Sequence, residues 1–267
     1  MAWRIMTSYV DYLYQMHALI RDPLYRGVGV SHGNGEPILL IPGFLAGDWS
    51  LFILGEWLNR LGYRVYYSGI DCNISCPQKT STLLRWRLEY VAAETQQPVT
   101  IIGHSLGGVL ARFLAASVSQ QVRQVITLGS PIDGSMRIHP LVPLTFKILQ
   151  HVQGFSQRPL PLPPCAKDVQ CSCDFVKGAF ASLLPEVRFT TIYSKQDEIV
   201  EWQACIDAAK VNYEVHGQHL GLIVNPAVYR LLGQLLVSQP PTGQDSFRKD
   251  SQIPMRDYIP SPPSAIA

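Results

Sequence analysis

The chain has 267 residues, of which 47% are hydrophobic and 16% are charged, and its formal net charge at pH 7 is +2. A chain of this length and composition can bury a sizeable core, and we expect one α/β domain with an insertion. The small net charge and the lack of a basic run argue against nucleic acid as a partner. The apolar stretches are shorter than the roughly 18 residues of a membrane-spanning helix, so no integral membrane segment is expected.

The first 27 residues carry apolar and aromatic side chains at mixed spacing, which predicts an amphipathic helix that ends near Asp22-Pro23. We interpret it as a helix packed on the core, with a membrane-surface helix as the alternative. The N-terminus lacks an unbroken apolar core and a small-residue cleavage site, which favours a cytoplasmic location. Six cysteines point the other way, because even counts are typical of secreted disulfide proteins, so secretion stays the alternative.

From Pro37 onward, short β-branched or apolar runs alternate with amphipathic segments. Strands are predicted at 37–41, 63–67, 99–102, 122–128, 187–193 and 211–215, and helices at 48–61, 80–94, 109–116 and after Asn225-Pro226. Asp48 is expected to cap the first of these helices and Asn225 the last. This alternation implies a largely parallel sheet with right-handed crossovers.

Two stretches interrupt this alternation. Residues 132–186 are rich in proline, leucine and cysteine, and a long insertion of this kind is more often a lid or binding cap than an idle loop. Beyond about Ser238 the chain is rich in proline, serine and charge, which predicts a disordered tail. The predicted organisation is a helical segment at 1–27, a domain at 28–238 with a cap at about 132–186, and a tail at 239–267.

The segment Gly103-His104-Ser105-Leu106-Gly107 lies between a buried strand and a helix-forming segment. Strand, Gly-x-Ser-x-Gly and helix in this order are typical of a nucleophile elbow, in which a tight turn exposes the serine and requires small flanking residues. Ser105 is therefore the candidate nucleophile, with a structural serine at a helix start as the alternative. We interpret His104 as a packed turn histidine, because its side chain leaves the turn in another direction.

A serine hydroxyl is a poor nucleophile until a base accepts its proton, and a third group must hold that base in the right tautomer. After Ser105 the chain offers an acid and then a histidine, each placed just after a later strand, where the catalytic groups of open α/β sheets collect. The candidates for the base are His219 and His216, and those for the acid are Asp197, Asp133 and Glu198.

Four motifs together resemble the α/β-hydrolase superfamily, and within it bacterial lipase/esterase-like, triacylglycerol lipase-like proteins. They are the segments at 103–108, 128–131, 197–200 and 219–222, and the resemblance covers about residues 36–236. It implies an α/β-hydrolase fold, with a mostly parallel central sheet, helices on both faces and a cap or lid insertion. It also implies that Ser105 is the nucleophile, Asp197 the orienting acid and His219 the base of a triad that cleaves esters through an acyl-enzyme.

Attack on an ester carbonyl creates an oxyanion that needs preorganised hydrogen-bond donors. The backbone N–H of Leu106 is one candidate, since it follows the nucleophile in the elbow. The second donor is expected in the loop after the strand at 37–41, at the N–H of Phe44. Many members of the superfamily have His-Gly where this chain has Pro42-Gly43, but this departure leaves the Phe44 N–H in place.

Four cysteines fall in the insertion or after Asp197: Cys165, Cys171, Cys173 and Cys205. In similar hydrolases cysteines at these places can join cap to core, and we favour disulfides or free thiols over zinc because Cys171-x-Cys173 is too short for the usual spacing. The sequence shows neither a Gly-rich phosphate loop nor a carboxylate–histidine metal motif, so we expect no cofactor and no metal.

These observations predict a serine carboxylic-ester hydrolase that acts on a small acyl ester or a lipid, in transient contact with a lipid surface at most. An acyltransferase, thioesterase or amidase could use the same triad. A non-catalytic binding protein on the same fold is a further alternative, because a fold alone does not specify a function.

Overall fold

A six-stranded parallel sheet forms the centre of the computed structural model, which describes residues 2–133, 175, 178, 183 and 185–237. The strands are β1 (Pro37–Ile41), β2 (Arg64–Tyr67), β3 (Val99–His104), β4 (Val122–Leu128), β5 (Arg188–Tyr193) and β6 (Val211–Glu214). Their spatial order is β2-β1-β3-β4-β5-β6, and every adjacent pair is parallel. The parallel sheet predicted from the alternation of strands and helices is confirmed.

Helices cover both faces of this sheet. They are α1 (Ala2–Arg21), α2 (Phe52–Arg60), α3 (Pro77–Thr95), α4 (Leu106–Ser117) and α5 (Pro226–Leu235). Along β1, Ile38 and Leu40 pack with side chains of α1, α2 and α5, whereas Leu39 and Ile41 pack with side chains of α3 and α4. Because successive strand residues point to opposite faces, this fully buried run needs apolar cover on both sides.

The two predicted helix caps have different outcomes. The Asn225 side chain accepts a hydrogen bond from the Ala227 N–H at 2.8 Å, so this cap is confirmed. The Asp48 cap is wrong, because a 3₁₀ turn (Asp48–Leu51) precedes α2 and begins without a side-chain cap. The Asp48 carboxylate instead accepts from Ser68 Oγ at 2.6 Å and from the Gly69 N–H at 2.7 Å, and these donors in the loop after β2 hold it away from the helix.

All elements named above lie in one compact unit, Met1–Val237. Most of the predicted cap and the whole predicted tail lie outside the described residues, so the domain boundaries stay a prediction. Within the cap range, Phe175 is described: its N–H donates to Gln78 Oε1 of α3 at 2.7 Å, and its ring lies 5.2 Å from that of Phe113 of α4. In the described part of the chain, none of the helices has both the length and the apolar character needed to cross a membrane.

The parallel sheet also decides where functional groups meet. The loops after β1, β3, β4 and β5 leave the same edge of the sheet, because all four strands run in one direction. The segment after β6 joins them, and it is followed by a 3₁₀ helix (Leu220–Val224) that leads into α5. This 3₁₀ helix has no periodic signature in a sequence because it is only five residues long.

Trp57 of α2 offers a test of the packing on the first face. Its side chain is fully buried, its Nε1–H donates to the Leu24 carbonyl at 3.0 Å, and its ring lies 4.7 Å from that of Tyr229. Trp57→Phe removes the donor and leaves unfilled volume, so we expect the free energy of unfolding to fall by about 1–3 kcal/mol. Urea titration followed by far-UV circular dichroism measures this change.

Trp86→Phe is the matched control, because the Trp86 side chain is 70% exposed on α3. We expect its free energy of unfolding to stay within about 0.5 kcal/mol of the wild-type value. Equal losses in the two variants would contradict the assignment of Trp57 to the packed core.

Candidate active site

Ser105 occupies a strained turn between β3 and α4. Its φ is 53° and its ψ is −122°, a left-handed φ that a residue with a side chain rarely adopts. A β-carbon added at Gly103 would lie 2.4 Å from the Gly107 carbonyl oxygen, and one added at Gly107 would lie 2.2 Å from that of Ile41. Backbone segments therefore approach too closely here for any side chain, and the half-buried Ser105 is held at the carboxyl end of β3.

Asp197 and His219 form a buried pair at the same edge of the sheet. His219 Nδ1 lies 2.6 Å from Asp197 Oδ2, and the two side chains are 5% and 1% exposed. The other carboxylate oxygen accepts from the N–H groups of Ile199 at 2.9 Å and Val200 at 2.8 Å. Because a carboxylate can only accept, Nδ1 of the neutral imidazole carries the proton and Nε2 is left as the basic nitrogen.

The charges around His219 favour its protonated form. Burial by itself would lower the pKa of His219, but the charge of Asp197, its hydrogen bond and the charge of Glu198 together outweigh burial and raise this pKa. The end of β4 lies directly beside the pair, since a β-carbon added at Gly129 would be 3.0 Å from Asp197 Oδ2. The imidazole is therefore buried, and the carboxylates of Asp197 and Glu198 stabilise a positive charge on it.

His104 also contacts His219. Its Nε2 lies 3.1 Å from the His219 carbonyl oxygen, and the two rings are tilted with centroids 4.8 Å apart. Burial, followed by the nearby His219, lowers the pKa of His104 to about 3. The neutral ring thus donates its Nε2–H to the His219 carbonyl. In the sequence, only the position of His104 in the elbow pointed to this contact.

The loop after β1 packs against the elbow. A β-carbon added at Gly43 would lie 3.0 Å from the Cβ of Ser105. The Ala46 N–H donates to the Gly43 carbonyl at 3.2 Å, and Leu45, at the third position of this turn, has a left-handed φ of 62°. Phe44 lies within the turn and Leu106 begins α4, so both predicted oxyanion donors belong to segments that flank Ser105.

Asn73 holds the shape of that loop, and the sequence did not single it out. Its side-chain amide donates to the Pro42 carbonyl at 2.9 Å, and its backbone carbonyl accepts from the Leu45 N–H at 3.2 Å. The Asn73 N–H donates to the Ala46 carbonyl at 2.8 Å. A buried asparagine thus holds the loop that contains Pro42 and Gly43 in its observed shape.

The rival candidates occupy other positions. His216 is exposed, and its carbonyl accepts from the Asn225 side chain. Glu198 accepts from the backbone N–H of His219 at 3.1 Å, whereas the imidazole Nδ1 contacts Asp197. Asp133 is exposed, and its N–H donates to the Ala204 carbonyl at 3.2 Å. Of the three candidate acids, the structure thus pairs Asp197 with the His219 imidazole.

The predicted cysteine cluster is described only at Cys205. It is a buried thiol whose pKa is raised by burial and then by the charges of Asp197 and Asp133. Cys165, Cys171 and Cys173 lie outside the described residues, so the prediction of a disulfide remains untested. Within the described ranges, no group of three or more histidine, cysteine or acidic side chains is arranged to hold a metal ion.

Comparisons with known sequences match part of the chain. The family model described as a PGAP1-like alpha/beta domain matches residues 85–155, which include Ser105. A triacylglycerol lipase of Pseudarthrobacter phenanthrenivorans is 31% identical over 108 residues, which is 37% of this chain and 34% of that protein. For a triacylglycerol lipase of Burkholderia plantarii the identity is also 31% over 108 residues, 37% of this chain and 30% of that protein. The match spans about a third of the length of these relatives.

Solved structures match over a larger part of the chain. A metagenomic carboxyl esterase has a TM-score of 0.58 at 14% identity, with 77% of this chain and 76% of that chain covered. A soluble variant of the monoglyceride lipase of Saccharomyces cerevisiae has a TM-score of 0.52 at 16% identity, with 78% and 89% covered. An extracellular alpha/beta-hydrolase from a Paenibacillus species has a TM-score of 0.50 at 14% identity, with 76% and 98% covered. At these identities the likeness establishes the fold, and the predicted α/β-hydrolase fold is confirmed.

The low pKa of His104 makes the stability of the protein depend on pH. In the unfolded chain this histidine takes up a proton near pH 6.5, but in the folded protein it does so only near pH 3. Between these values the unfolded state binds more protons, so acidification favours unfolding through His104. We expect the free energy of unfolding to fall more steeply with decreasing pH in the wild type than in His104→Gln, by at most on the order of 1 kcal/mol per pH unit.

Urea titrations at several pH values between 3 and 6.5 measure this slope. Glutamine can still donate to the His219 carbonyl, so the comparison removes the titration and preserves the contact. Parallel pH dependences of the two proteins would contradict a neutral, buried His104.

Proposed function

We propose that this chain, which has the α/β-hydrolase fold and resembles lipases and esterases, is a serine carboxylic-ester hydrolase. The observation that carries the proposal is the buried contact of 2.6 Å between His219 Nδ1 and Asp197 Oδ2, at the sheet edge where Ser105 sits in a strained elbow. The assigned roles are Ser105 as nucleophile, His219 as base and Asp197 as the group that orients the base. The backbone N–H groups of Phe44 and Leu106 form the oxyanion hole.

In the first half-reaction the Ser105 oxygen attacks the ester carbonyl carbon while its proton passes to His219 Nε2. Asp197 stabilises the imidazolium that results, which agrees with the raised pKa of His219. The carbonyl oxygen becomes an oxyanion that accepts hydrogen bonds from Phe44 and Leu106. When the carbonyl re-forms, the bond to the alcohol oxygen breaks, and Nε2 returns the proton to the departing alcohol.

In the second half-reaction a water molecule attacks the acyl-enzyme. His219 Nε2 takes a proton from this water, the bond to the Ser105 oxygen breaks, and Nε2 returns the proton to that oxygen. One ester and one water thus become one acid and one alcohol, and these steps call for no cofactor. The enzyme ends in its starting protonation state.

We infer an apolar acyl group for the substrate. Phe44 and Leu106 are half-buried in the segments that flank Ser105, and Leu45, which follows Phe44, is exposed. Apolar side chains around a few placed donors are typical of pockets for apolar ligands. The relatives named triacylglycerol lipase support an acyl ester or lipid as the substrate class.

Ser105→Ala tests the nucleophile. We expect turnover of p-nitrophenyl esters to fall to the level left by the oxyanion hole and substrate binding alone, a loss on the order of 10⁶-fold. A fluorophosphonate reagent should label the wild type at Ser105, as identified by peptide mass spectrometry, and should not label the variant. Ser117→Ala, at an exposed position on α4, is the matched control that keeps both properties.

Undiminished turnover by a folded Ser105→Ala protein would refute the proposal, and absence of labelling in the wild type would favour a non-catalytic binding protein.

Product analysis with and without added alcohols separates hydrolysis from acyl transfer. Hydrolysis yields one free acid per ester consumed, whereas a transferase would deliver most of the acyl group to the added alcohol.

Asp197→Asn tests the orienting acid. Asparagine keeps an oxygen for the N–H groups of Ile199 and Val200, but its amide presents the wrong partner to His219 Nδ1. We expect kcat to fall on the order of 10⁴-fold because the imidazole is held in the wrong tautomer. Steady-state kinetics on a soluble ester measure the loss, and Asp207→Asn, in the turn before β6, should change kcat less than about twofold. A loss below tenfold in Asp197→Asn would exclude the assigned role.

A further inference from the structure

We propose that Glu198 is a positioning residue for His219 and that α1 holds Glu198 in place. This proposal deepens the proposed function and rests on it, because it takes His219 as the base. It assigns the N-terminal helix a part in the reaction that neither the elbow nor the Asp197 contact requires.

The Glu198 carboxylate bridges α1 and the histidine. One of its oxygens, Oε2, accepts from the backbone N–H of His219 at 3.1 Å. The other, Oε1, accepts from Ser8 Oγ at 2.5 Å, and Ser8 is almost fully buried in the contact. The Glu198 side chain thus links the backbone N–H of His219 to the hydroxyl of Ser8, which lies on α1, 190 residues earlier in the chain.

Glu198 completes the set of contacts around His219. His104 holds the backbone carbonyl of His219, and Asp197 holds Nδ1. With the N–H held by Glu198, three of the four polar atoms of His219 have a partner in these side chains. The fourth, Nε2, is the atom that the reaction needs. A shift of the backbone or a rotation of the ring therefore breaks at least one hydrogen bond.

The neighbouring backbone groups are held in the same way. The Gly217 N–H donates to Gln196 Oε1 at 3.0 Å, and the Gln218 N–H donates to Asp11 Oδ2 at 2.8 Å. Asp11 also lies so close to Gly221 that an added β-carbon would be 2.1 Å from its Oδ2. Three consecutive N–H groups outside regular secondary structure thus find side-chain partners, and two of these partners depend on α1.

This support matters because the base lies on an irregular segment. A loop segment needs a rigid support, and a misplacement of about 1 Å can cost on the order of 10²-fold in rate. The charged and titratable groups that face His219 are Asp197 and Glu198 from the loop after β5, His104 from β3 and Asp11 from α1. Glu198 therefore adds a negative charge near the imidazole as well as a hydrogen bond to its backbone.

Glu198→Gln and Glu198→Ala separate the hydrogen bonds from the charge. Glutamine can accept from the His219 N–H and donate to Ser8 Oγ, so we expect kcat to stay within about threefold of wild type. Its lost charge should move the acid limb of the kcat/KM profile to lower pH. Alanine removes both bonds, and we expect kcat to fall about 10- to 100-fold with KM nearly unchanged. Glu201→Ala, an exposed carboxylate of the same loop, is the matched control.

A double-mutant cycle tests the role of α1. Ser8→Ala removes the hydroxyl and should lower kcat by less than Glu198→Ala does. If Ser8 acts through Glu198, Ser8→Ala combined with Glu198→Ala is no worse than Glu198→Ala alone. Multiplicative losses would show that Ser8 acts independently and would overturn this part of the proposal.

The positioning role is overturned if folded Glu198→Ala keeps the wild-type kcat. It is also overturned if Glu198→Gln loses as much kcat as Glu198→Ala does. If Glu198→Ala does not fold, Glu198→Asp replaces it: the shorter carboxylate keeps the charge but cannot span both partners, so kcat falls while the acid limb stays in place. An unchanged kcat in Glu198→Asp also overturns the role. These results are distinct from failure of the proposed function, which is judged by turnover in Ser105→Ala.

Discussion

The hydrogen bond between His219 Nδ1 and Asp197 Oδ2 is the contact on which the arrangement of the sheet edge depends. It joins groups from two different strand ends, and it is buried, so its strength is little reduced by solvent. Asp197 is held by two backbone N–H groups and His219 by His104 and Glu198, so each partner has hydrogen bonds besides the one that joins them. The pair lies beside β4, where the absence of a side chain at Gly129 leaves room for it.

Backbone strain is concentrated on the other side of the same edge. Ser105 and Leu45 both have left-handed φ angles, and they belong to segments that touch each other through Gly43. Strain of this kind persists only where surrounding contacts determine the backbone, which here come from the elbow glycines, Asn73 and the parallel sheet. The structure therefore combines a strained nucleophile segment with an unstrained, hydrogen-bonded base and acid.

Local patterns in the sequence were sufficient for much of this arrangement. The buried strand before Ser105, the two elbow glycines and the Asn225-Pro226 cap each have a short-range physical cause, and each is found where the sequence predicts it. Asp48 was misassigned because its competing donors, Ser68 and Gly69, lie 20 and 21 residues away in the sequence. Asn73, Ser8 and Asp11 were missed for the same reason, since their partners are set by tertiary packing and leave no periodic or motif signal.

The contacts of α1 also bear on when the protein reaches its final form. Ser8 is synthesised 190 residues before its partner Glu198, and Asp11 is synthesised 207 residues before Gln218. Leu19 of α1 is buried in a cluster that includes side chains of α5, so it is not fully covered until α5 has been synthesised. Most of the sheet can assemble earlier from neighbouring strands, but closing these distant contacts carries the larger entropic cost. Docking of α1 against these later segments is then a late step in folding, and a nascent chain that ends after β4 leaves the apolar side chains of α1 exposed.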